Sequence, residues 1–195
     1  VNISNQYYRF SDIGKRKVEA LAEIVMDFTG VEILAIPVKW DGACLNGIVI
    51  TAVDSMAVRK QVYEAHIEAN PKTVLIIDPR MSAEKALMYT YNPLDKESYT
   101  AYANSLYSDH NAVQERCTAK ATMYTSNLIG GLVAKTLKNF VCGESHSTYI
   151  SWDINMDDMY VGKRTKTVDV PFSDIRGVGV ALPTSAIPTN YIDNN

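Results

Sequence analysis

The stretch "IVITAVDSMAVRKQVYEAHIEANPKTVLIID", residues 48–78, decides the predicted fold of this chain. It begins and ends with a short apolar run, "IVITAVD" and "TVLIID". Between the runs, Val58, Val62 and Ala65 follow the three- and four-residue spacing that predicts a helix. Strands that are apolar on both faces and alternate with helices are typical of a parallel sheet covered on both sides. The stretch therefore predicts an α/β fold with a mostly parallel sheet and helices on both faces.

Each apolar run ends in an aspartate, Asp54 in the first and Asp78 in the second. Sheets of this kind bind ligands beyond the carboxyl ends of their strands. We therefore expect both aspartates to lie at the binding edge of the sheet. Asp54 has a second interpretation as the N-cap of the following helix, since aspartate is favoured at that position. The two roles are compatible.

Outward toward the N-terminus, the sequence predicts a helix with Asp12 as its N-cap and Gly30 as its stop signal. The apolar periodicity of this helix is carried by Val18, Leu21, Ile24, Val25 and Phe28. The next stretch, "VEILAIPVKW" at 31–40, is rich in β-branched residues and contains Pro37. Proline is confined to edge strands within sheets, so the stretch predicts an edge strand.

Toward the C-terminus, residues 81–109 predict a short strand, a loop and a short helix. A longer helix is predicted within 118–140, ended by Gly143. Gly130 and Gly131 lie inside it, and each costs about 1 kcal/mol relative to alanine in a helix. We therefore expect this pair to allow close packing of the helix on the sheet.

The C-terminal part of the chain predicts strands and turns. "TYISWDINMDDMYV" is expected to form a hairpin, and the acids within it are interpreted as a solvated turn rather than a metal site. "TVDVPF" predicts a further strand, followed by a trailing arm.

Composition limits the class of protein. The chain has 195 residues, of which 47% are hydrophobic and 21% charged, and its size suits one folded domain. A net charge of -3 gives no general attraction to nucleic acid or anionic lipid. The longest apolar runs are too short to span a membrane, so we expect no membrane association.

Three cysteines, Cys44, Cys117 and Cys142, form no C-x-x-C pair. An odd number at these spacings favours neither a disulfide framework nor a zinc site, so no zinc is predicted. A reducing, cytoplasmic location is the expectation.

Several segments resemble, in order, the ubiquitin-activating-enzyme superfamily in its ThiF/MoeB/HesA group. "NISNQ", "DIGKRKVEAL", "VEILAIPV" and "IVITAVDSMAVRKQV" are similar to N-L-x-R-Q, D-I-G-x-x-K-V-E-A, a variable strand and D-x-x-D-N-x-x-x-R of the group. Farther on, "RCTAKATMYTSNLIGGLVAKTLK" resembles the cysteine-containing crossover segment and the helix after it. The resemblance implies a Rossmann-like fold, with residues 1–145 as a ThiF-type activating domain and 146–195 as C-terminal strands and a trailing arm of the same domain.

The resemblance also implies an activity. Members of the group use ATP and Mg²⁺ to adenylate the C-terminal carboxylate of a ubiquitin-like or sulfur-carrier protein, and some then transfer the acyl group to cysteine or sulfur. The partner would therefore be such a carrier protein, and the chain would form a homodimer or pair with another subunit.

The site residues follow from the same resemblance. Lys17 matches the phosphate-binding lysine, while Asn2 and Gln6 match amides that donate to phosphate or ribose oxygens. Asp54 matches the Mg²⁺-binding acid, a hard oxygen ligand of the kind that ion prefers. Arg59 matches the family arginine one turn or more into the next helix.

Cys117 is the candidate thioester nucleophile, because the resemblance places it at a position that sometimes accepts acyl or sulfur groups. Arg116 and Lys120 flank it, and nearby cations favour the thiolate. The alternative is an ordinary surface cysteine. Cys44 and Cys142 are interpreted as structural.

Two departures from the family pattern favour a different function. Asn5 replaces the family arginine, and an amide supplies neither its charge nor its forked geometry. The glycine-rich strand-turn-helix that holds the nucleotide belongs before residue 1, and Gly177 and Gly179 in "RGVGVALP" do not match it. The sequence is therefore expected to be either a piece of a longer polypeptide or a domain with an incomplete site.

The main alternative is a non-catalytic ThiF-like subunit that binds another protein. An NAD-dependent oxidoreductase is disfavoured because it also needs the glycine-rich fingerprint. The tyrosine-rich part of the chain, between 89 and 107, is interpreted chiefly as core and loop packing, with a surface for a protein tail as the alternative. His66 and His146 receive no functional role.

Overall fold

The computed structural model describes residues 6–43, 45–69, 72–107 and 122–165. A short 3-10 helix, Phe10–Asp12, precedes the first α-helix. The α-helices are α1 Lys17–Thr29, α2 Met56–Ala69, α3 Lys96–Ala103 and α4 Met123–Val141. The strands are β1 Gly47–Ile50, β2 Thr73–Met81, β3 Lys85–Tyr91, β4 His146–Ser147, β5 Tyr149–Asp153, β6 Asp158–Val161 and β7 Arg164–Thr165.

The main sheet has five strands in the order β1-β2-β3-β5-β6, and β4 pairs with β7 in a separate ladder. The predicted α/β class is confirmed. The expectation of a mostly parallel sheet is wrong for the described residues, because only β1 and β2 are parallel. α2 provides the crossover between those two strands, whereas the short turn 82–84 between β2 and β3 can join only antiparallel neighbours.

Strand β2 continues three positions beyond the predicted run, through Pro79 to Met81. Its pairing with β1 ends at Ile77, while its pairing with β3 extends to the end of the strand. From Asp78 onward, β2 therefore pairs only with β3. Pro79, which has no backbone N–H to donate, is tolerated on such an open edge.

Alternation along β2 divides the buried side chains between the two faces of the sheet. Leu75 and Ile77 pack with Met88 of β3 against Ile129 and Phe140 of α4. The opposite face carries a second cluster whose buried members are Val49, Ile76, Tyr91 and Tyr102, with Tyr63, Tyr89, Tyr99 and Leu106 packed against it. The prediction that this tyrosine-rich part of the chain supplies core packing is confirmed for Tyr91 and Tyr102.

Helix α1 begins at Lys17, so the prediction of Asp12 as its N-cap is wrong. Asp12 instead closes the 3-10 turn, where its Oδ2 accepts a 2.8 Å hydrogen bond from the backbone N–H of Arg9. That backbone hydrogen bond is the main reason that the pKa of Asp12 lies below its usual value, with Lys15 adding to the effect. The predicted stop at Gly30 is confirmed, since this residue is the C-cap with φ of 68°.

Residues 31–40 form no strand, which corrects the prediction of an edge strand there. β1 is the edge of the main sheet and pairs only with β2 within the described residues, so segment 31–40 does not extend the sheet at this edge. Its apolar side chains are left exposed, with Leu34 at 85% and Val38 at 73%. A β-branched composition alone does not produce a strand without a partner.

The glycine pair of α4 also differs from the expectation. Gly130 and Gly131 lie on the exposed side of the helix, and a Cβ added at either would meet nothing within 4 Å. The sheet is contacted instead by Ile129, Leu132 and Val133, so the glycines allow no close approach. The predicted stop is confirmed, because Gly143 follows the Cys142 C-cap with φ of 69°.

The predicted C-terminal hairpin is confirmed as β5 and β6, which pair from Ile150 and Val161 to Asp153 and Asp158. Asp157 in the turn has a φ of 52°, a conformation that aspartate tolerates better than most residues. The predicted strand "TVDVPF" and the trailing arm lie outside the described residues.

Candidate functional site

The carboxyl end of β1 and the first turn of α2 form the candidate site. The backbone N–H of Thr51 donates to the carbonyl of Ile77 at 2.9 Å, which extends the contact with β2 just past the end of β1. The chain then passes through exposed Asp54 to Ser55. The Ser55 hydroxyl accepts from the N–H of Val58 at 3.4 Å, in the manner of an N-cap. The alternative role of Asp54 as the cap is therefore taken by Ser55.

Asp54 forms no hydrogen bond or ion pair with any other described residue. It is exposed at the point where a strand ends and a helix begins. A carboxylate without a protein partner is available to a hydrated cation, and the neighbouring helix N-terminus favours phosphate oxygens. The geometry therefore suits a metal-bound anionic ligand.

Arg59, in contrast, is buried and has protein partners. Its Nε donates to Oδ1 of Asp78 at 2.9 Å, and its Nη2 donates to the carbonyl of Val53. The resemblance implies a nucleotide-binding role for this arginine. The structure instead places it beneath the loop that carries Asp54.

Asp78 lies inside β2 and is fully buried, so the prediction that it sits at a strand end is wrong. The strand continues because β3 pairs with it beyond that point. Its Oδ2 accepts from Nε of Arg80 at 2.8 Å and from the hydroxyl of Tyr102 at 2.9 Å. We call Asp78, Arg59, Arg80 and Tyr102 the Asp78 network.

Arg80 connects the network to the chain after α3. Its Nη1 and Nη2 donate to the carbonyl and the hydroxyl of Ser105 at 3.0 and 2.9 Å. Its guanidinium also lies 4.4 Å from the ring centre of Tyr89, a distance typical of a cation–π contact. Burial opposes the charge of Arg80, but Asp78 more than offsets this effect and the pKa of Arg80 is raised.

The tyrosines around the network remain protonated at neutral pH. Burial is the main reason that the pKa of Tyr102 is raised, and the charge of Asp78 adds to it. Burial is also the main reason that the pKa of Tyr91 is raised, with Tyr102 and Asp78 adding to it, and its ring stacks on Tyr102 with centres 4.1 Å apart. The network therefore contains two cations and one anion, which leaves one surplus positive charge.

The remaining predicted site residues are not joined to Asp54. Lys17 is the exposed first residue of α1 and forms no hydrogen bond or ion pair with a described residue. Gln6 has a buried Oε1 without a hydrogen-bond partner, and its neighbour Tyr7 donates to Asn127 of α4 at 2.8 Å. Asn2, Asn5, Cys44 and Cys117 lie outside the described residues. Cys142 is exposed and not bonded to another cysteine.

The two described histidines are buried. The backbone N–H of Leu45 donates to Nε2 of His66 at 3.1 Å, and Nδ1 of His66 is 2.7 Å from the carbonyl of Val62. This histidine ties the chain before β1 to α2. His146 packs edge-on to Phe140, and its buried Nδ1 has no hydrogen-bond partner. Burial is the main reason that the pKa of His146 is lowered.

Within the described ranges, no group of three or more His, Cys, Asp or Glu side chains could hold a metal ion by itself. None of the described helices is long and apolar enough to cross a membrane.

The Asp78 network was not predicted from the sequence. Its signal is "DPR" at 78–80, where two charged residues two positions apart share one face of a strand that is otherwise apolar. Paired burial of opposite charges explains such a pattern, since charged residues are almost never fully buried alone.

No family model matches the chain, and no curated protein matches it. Among solved structures, the chain is similar to the crystal structure of selenomethionine PaaA, with a TM-score of 0.51 and 12% sequence identity. The match covers 86% of this chain and 60% of the PaaA chain. This likeness supports the α/β fold and, at such low identity, nothing beyond the fold.

Proposed function

We propose that this chain is part of an ATP-dependent adenylating domain of the ThiF/MoeB/HesA type, with ATP and Mg²⁺ bound at the carboxyl end of β1. The observation that carries the proposal is the exposed carboxylate of Asp54, which has no partner among the described residues and lies between the parallel strand β1 and the N-terminus of α2. The order of the family-like segments in the sequence gives this position its proposed ligand.

The proposed reaction places specific demands on the site. An oxygen of the carrier's C-terminal carboxylate attacks the α-phosphorus of ATP, and the bond to the β-phosphate oxygen breaks, so that pyrophosphate leaves and an acyl adenylate forms. Mg²⁺ bound through Asp54 would neutralise charge on the phosphates. Lys17, Asn2 and Gln6 would contact phosphate oxygens, as the family resemblance implies. If a thioester step follows, the thiolate of Cys117 would attack the acyl carbon of the adenylate, and the bond to the phosphate oxygen would break with release of AMP.

The proposed partner is a ubiquitin-like or sulfur-carrier protein with a flexible C-terminal tail. Its tail would approach the site near residues 100–120, where the family resemblance places the crossover segment. The proposed assembly is a homodimer or a heterodimer. The exposed apolar side chains of segment 31–40 give the described part of the chain an apolar surface of the kind that protein partners cover.

A second candidate is a non-catalytic ThiF-like subunit that binds another protein. The burial of Arg59 favours it, because this guanidinium is held by Asp78 and Val53 rather than left free for a nucleotide. Lys17 and Gln6 also lack any hydrogen bond or ion pair to Asp54 in the described residues.

Calorimetric titration with ATP in the presence of Mg²⁺ distinguishes the two candidates. The adenylating domain should bind ATP, and Lys17→Ala should weaken binding roughly tenfold, equivalent to about 1.4 kcal/mol. Lys96→Ala is the matched control, since Lys96 is also the exposed first residue of a helix. If the unmodified chain shows no heat of ATP binding, the adenylation proposal is wrong and the non-catalytic subunit is supported.

A further inference from the structure

This inference rests on the proposed function. We propose that Arg59, Asp78 and Arg80 act as positioning residues, which fix the loop that carries Asp54 and so set the Mg²⁺ affinity of the ATP site without touching the nucleotide.

The first step is the contact between Arg59 and the loop. Nη2 of Arg59 donates to the carbonyl of Val53, which belongs to the peptide unit that joins Val53 to Asp54. Because the peptide unit is planar, holding this carbonyl restricts the direction in which the chain enters Asp54. The same guanidinium lies on α2, whose N-terminus follows the loop. Arg59 therefore ties both ends of the Asp54 loop together.

The second step is the fixation of Arg59 itself. Oδ1 of Asp78 accepts from Arg59, while Oδ2 accepts from Arg80 and Tyr102. Both carboxylate oxygens are thus occupied, and the carboxylate is fully buried. Asp78 also lies in β2, where its backbone pairs with Tyr89 of β3, one position beyond the last residue that pairs with β1. The position of Arg59 is consequently set by a buried carboxylate whose two oxygens both accept hydrogen bonds.

The third step is the connection to α3. Tyr102 donates to Asp78 from α3, and Arg80 donates twice to Ser105 just after that helix. Movement of α3 would therefore disturb the carboxylate that orients Arg59. α3 ends at Ala103, within the part of the chain near residues 100–120 where the proposed carrier tail approaches, so the network gives a physical connection between that region and the Asp54 loop.

The charge of the network favours the proposed occupant. Two buried guanidiniums share one carboxylate, which leaves a surplus positive charge beneath the loop. A triphosphate on the other side of the loop would offset this charge. Residues that orient a metal-coordinating side chain affect metal affinity through that side chain. Mutation of such residues typically costs 10–100-fold in metal affinity.

The test is a Mg²⁺ titration at constant ATP concentration, with ATP binding followed by calorimetry. Arg59→Lys keeps the charge but loses the forked donor geometry, and we expect it to raise the Mg²⁺ concentration for half-maximal binding by roughly tenfold or more. Tyr102→Phe removes one bond to Asp78 and should shift the midpoint less, in the same direction. Arg164→Lys is the matched control, because Arg164 also donates to a backbone carbonyl, that of Ser145. An unchanged midpoint in Arg59→Lys would overturn the proposal.

A double-mutant cycle separates positioning from direct contact with the nucleotide. If Arg59 acts through Asp54, then Arg59→Lys should have little further effect in an Asp54→Asn background. Additive effects of the two changes would show that Arg59 acts by another route and would contradict the positioning role.

A second measurement keeps this inference distinguishable from the proposed function. If the unmodified chain does not bind ATP, the proposed function fails, and the inference is then judged by amide hydrogen exchange of residues 50–58 without nucleotide. Arg59→Lys should speed exchange in this loop, while Arg164→Lys should not. Unchanged exchange in Arg59→Lys would overturn the positioning role, whatever the outcome of the binding experiment.

Discussion

At the residue scale, charge burial distinguishes the two aspartates that end the apolar runs. Asp54 is exposed and has no protein partner in the described residues, whereas Asp78 is fully buried between two arginines. The sequence could predict that both follow apolar β-strand residues. It could not predict their opposite environments, because these depend on β3 extending the pairing of β2 past Ile77.

Removal of the Asp78 carboxylate should be strongly destabilising. Asp78→Ala would leave two buried guanidiniums without their shared anion, and loss of one partner of a buried ion pair typically costs about 3–5 kcal/mol. The free energy of unfolding from urea titration measures this change. Asp158→Ala serves as the control, because Asp158 is exposed on β6 opposite Asp153 and its removal should change stability by no more than about 0.5 kcal/mol. A loss of similar size in both variants would contradict the structural role of the network.

The pH dependence of stability should contain a contribution from His146. Burial is the main reason that the pKa of this histidine is lowered; the backbone of Glu144 partly opposes the shift, and the charge of Arg164 adds to it to a smaller extent. As the pH falls through about 6.5, the usual value in an unfolded chain, the unfolded state takes up a proton that the folded state does not. The free energy of unfolding should therefore fall with the pH, until the pH reaches the lowered pKa of the folded state.

Urea unfolding of the unmodified chain and of His146→Gln at several pH values between 8 and 5 checks this prediction. The variant lacks the titrating group at this position, so its stability should fall less steeply with decreasing pH than that of the unmodified chain. Identical pH dependence in the two proteins would contradict the assignment of this contribution to His146.

At the element scale, the helices were predictable from the sequence, whereas the strand predicted at 31–40 does not form. Apolar periodicity locates α1, α2 and α4 to within a few residues, and glycine stop signals mark the ends of α1 and α4. These signals are local, and helix hydrogen bonds are satisfied within the helix itself. A strand depends on a partner from elsewhere in the chain. Segment 31–40 therefore forms no strand despite its β-branched composition, because it pairs with no described strand. The antiparallel order of β3, β5 and β6 depends likewise on turn geometry rather than on apolar pattern.

The glycine pair of α4 gives a prediction for this scale. Gly130→Ala and Gly131→Ala should each raise the free energy of unfolding by about 0.5–1 kcal/mol, because both positions are helical, exposed and open to a Cβ. Gly143→Ala is the contrasting control, since φ of 69° is left-handed and alanine there should destabilise by about 1–2 kcal/mol. Thermal unfolding followed by circular dichroism measures all three. Destabilisation by alanine at Gly130 and Gly131 would mean that a close contact covers this side of the helix.

At the scale of the whole molecule, the described core consists of one sheet with α4 on one face and the tyrosine-rich cluster on the other. The α/β class was predictable from the two apolar runs around α2, and the position of Asp54 followed from the same pattern. The Asp78 network was not predictable, because it joins side chains from α2, β2 and α3 that only the fold brings together. The proposed function depends on the exposed Asp54 loop above this network.

The Mg²⁺ dependence of ATP binding tests the central proposal most directly. Calorimetric titrations of ATP with and without Mg²⁺ compare the unmodified chain with Asp54→Asn and with Glu32→Gln, a matched loss of charge at an exposed carboxylate without a described partner. We expect Mg²⁺ to strengthen ATP binding in the unmodified chain and in Glu32→Gln, and to have little effect in Asp54→Asn. Equal Mg²⁺ dependence in all three proteins, or no ATP binding by the unmodified chain, would contradict the assignment of the ATP site to the carboxyl end of β1.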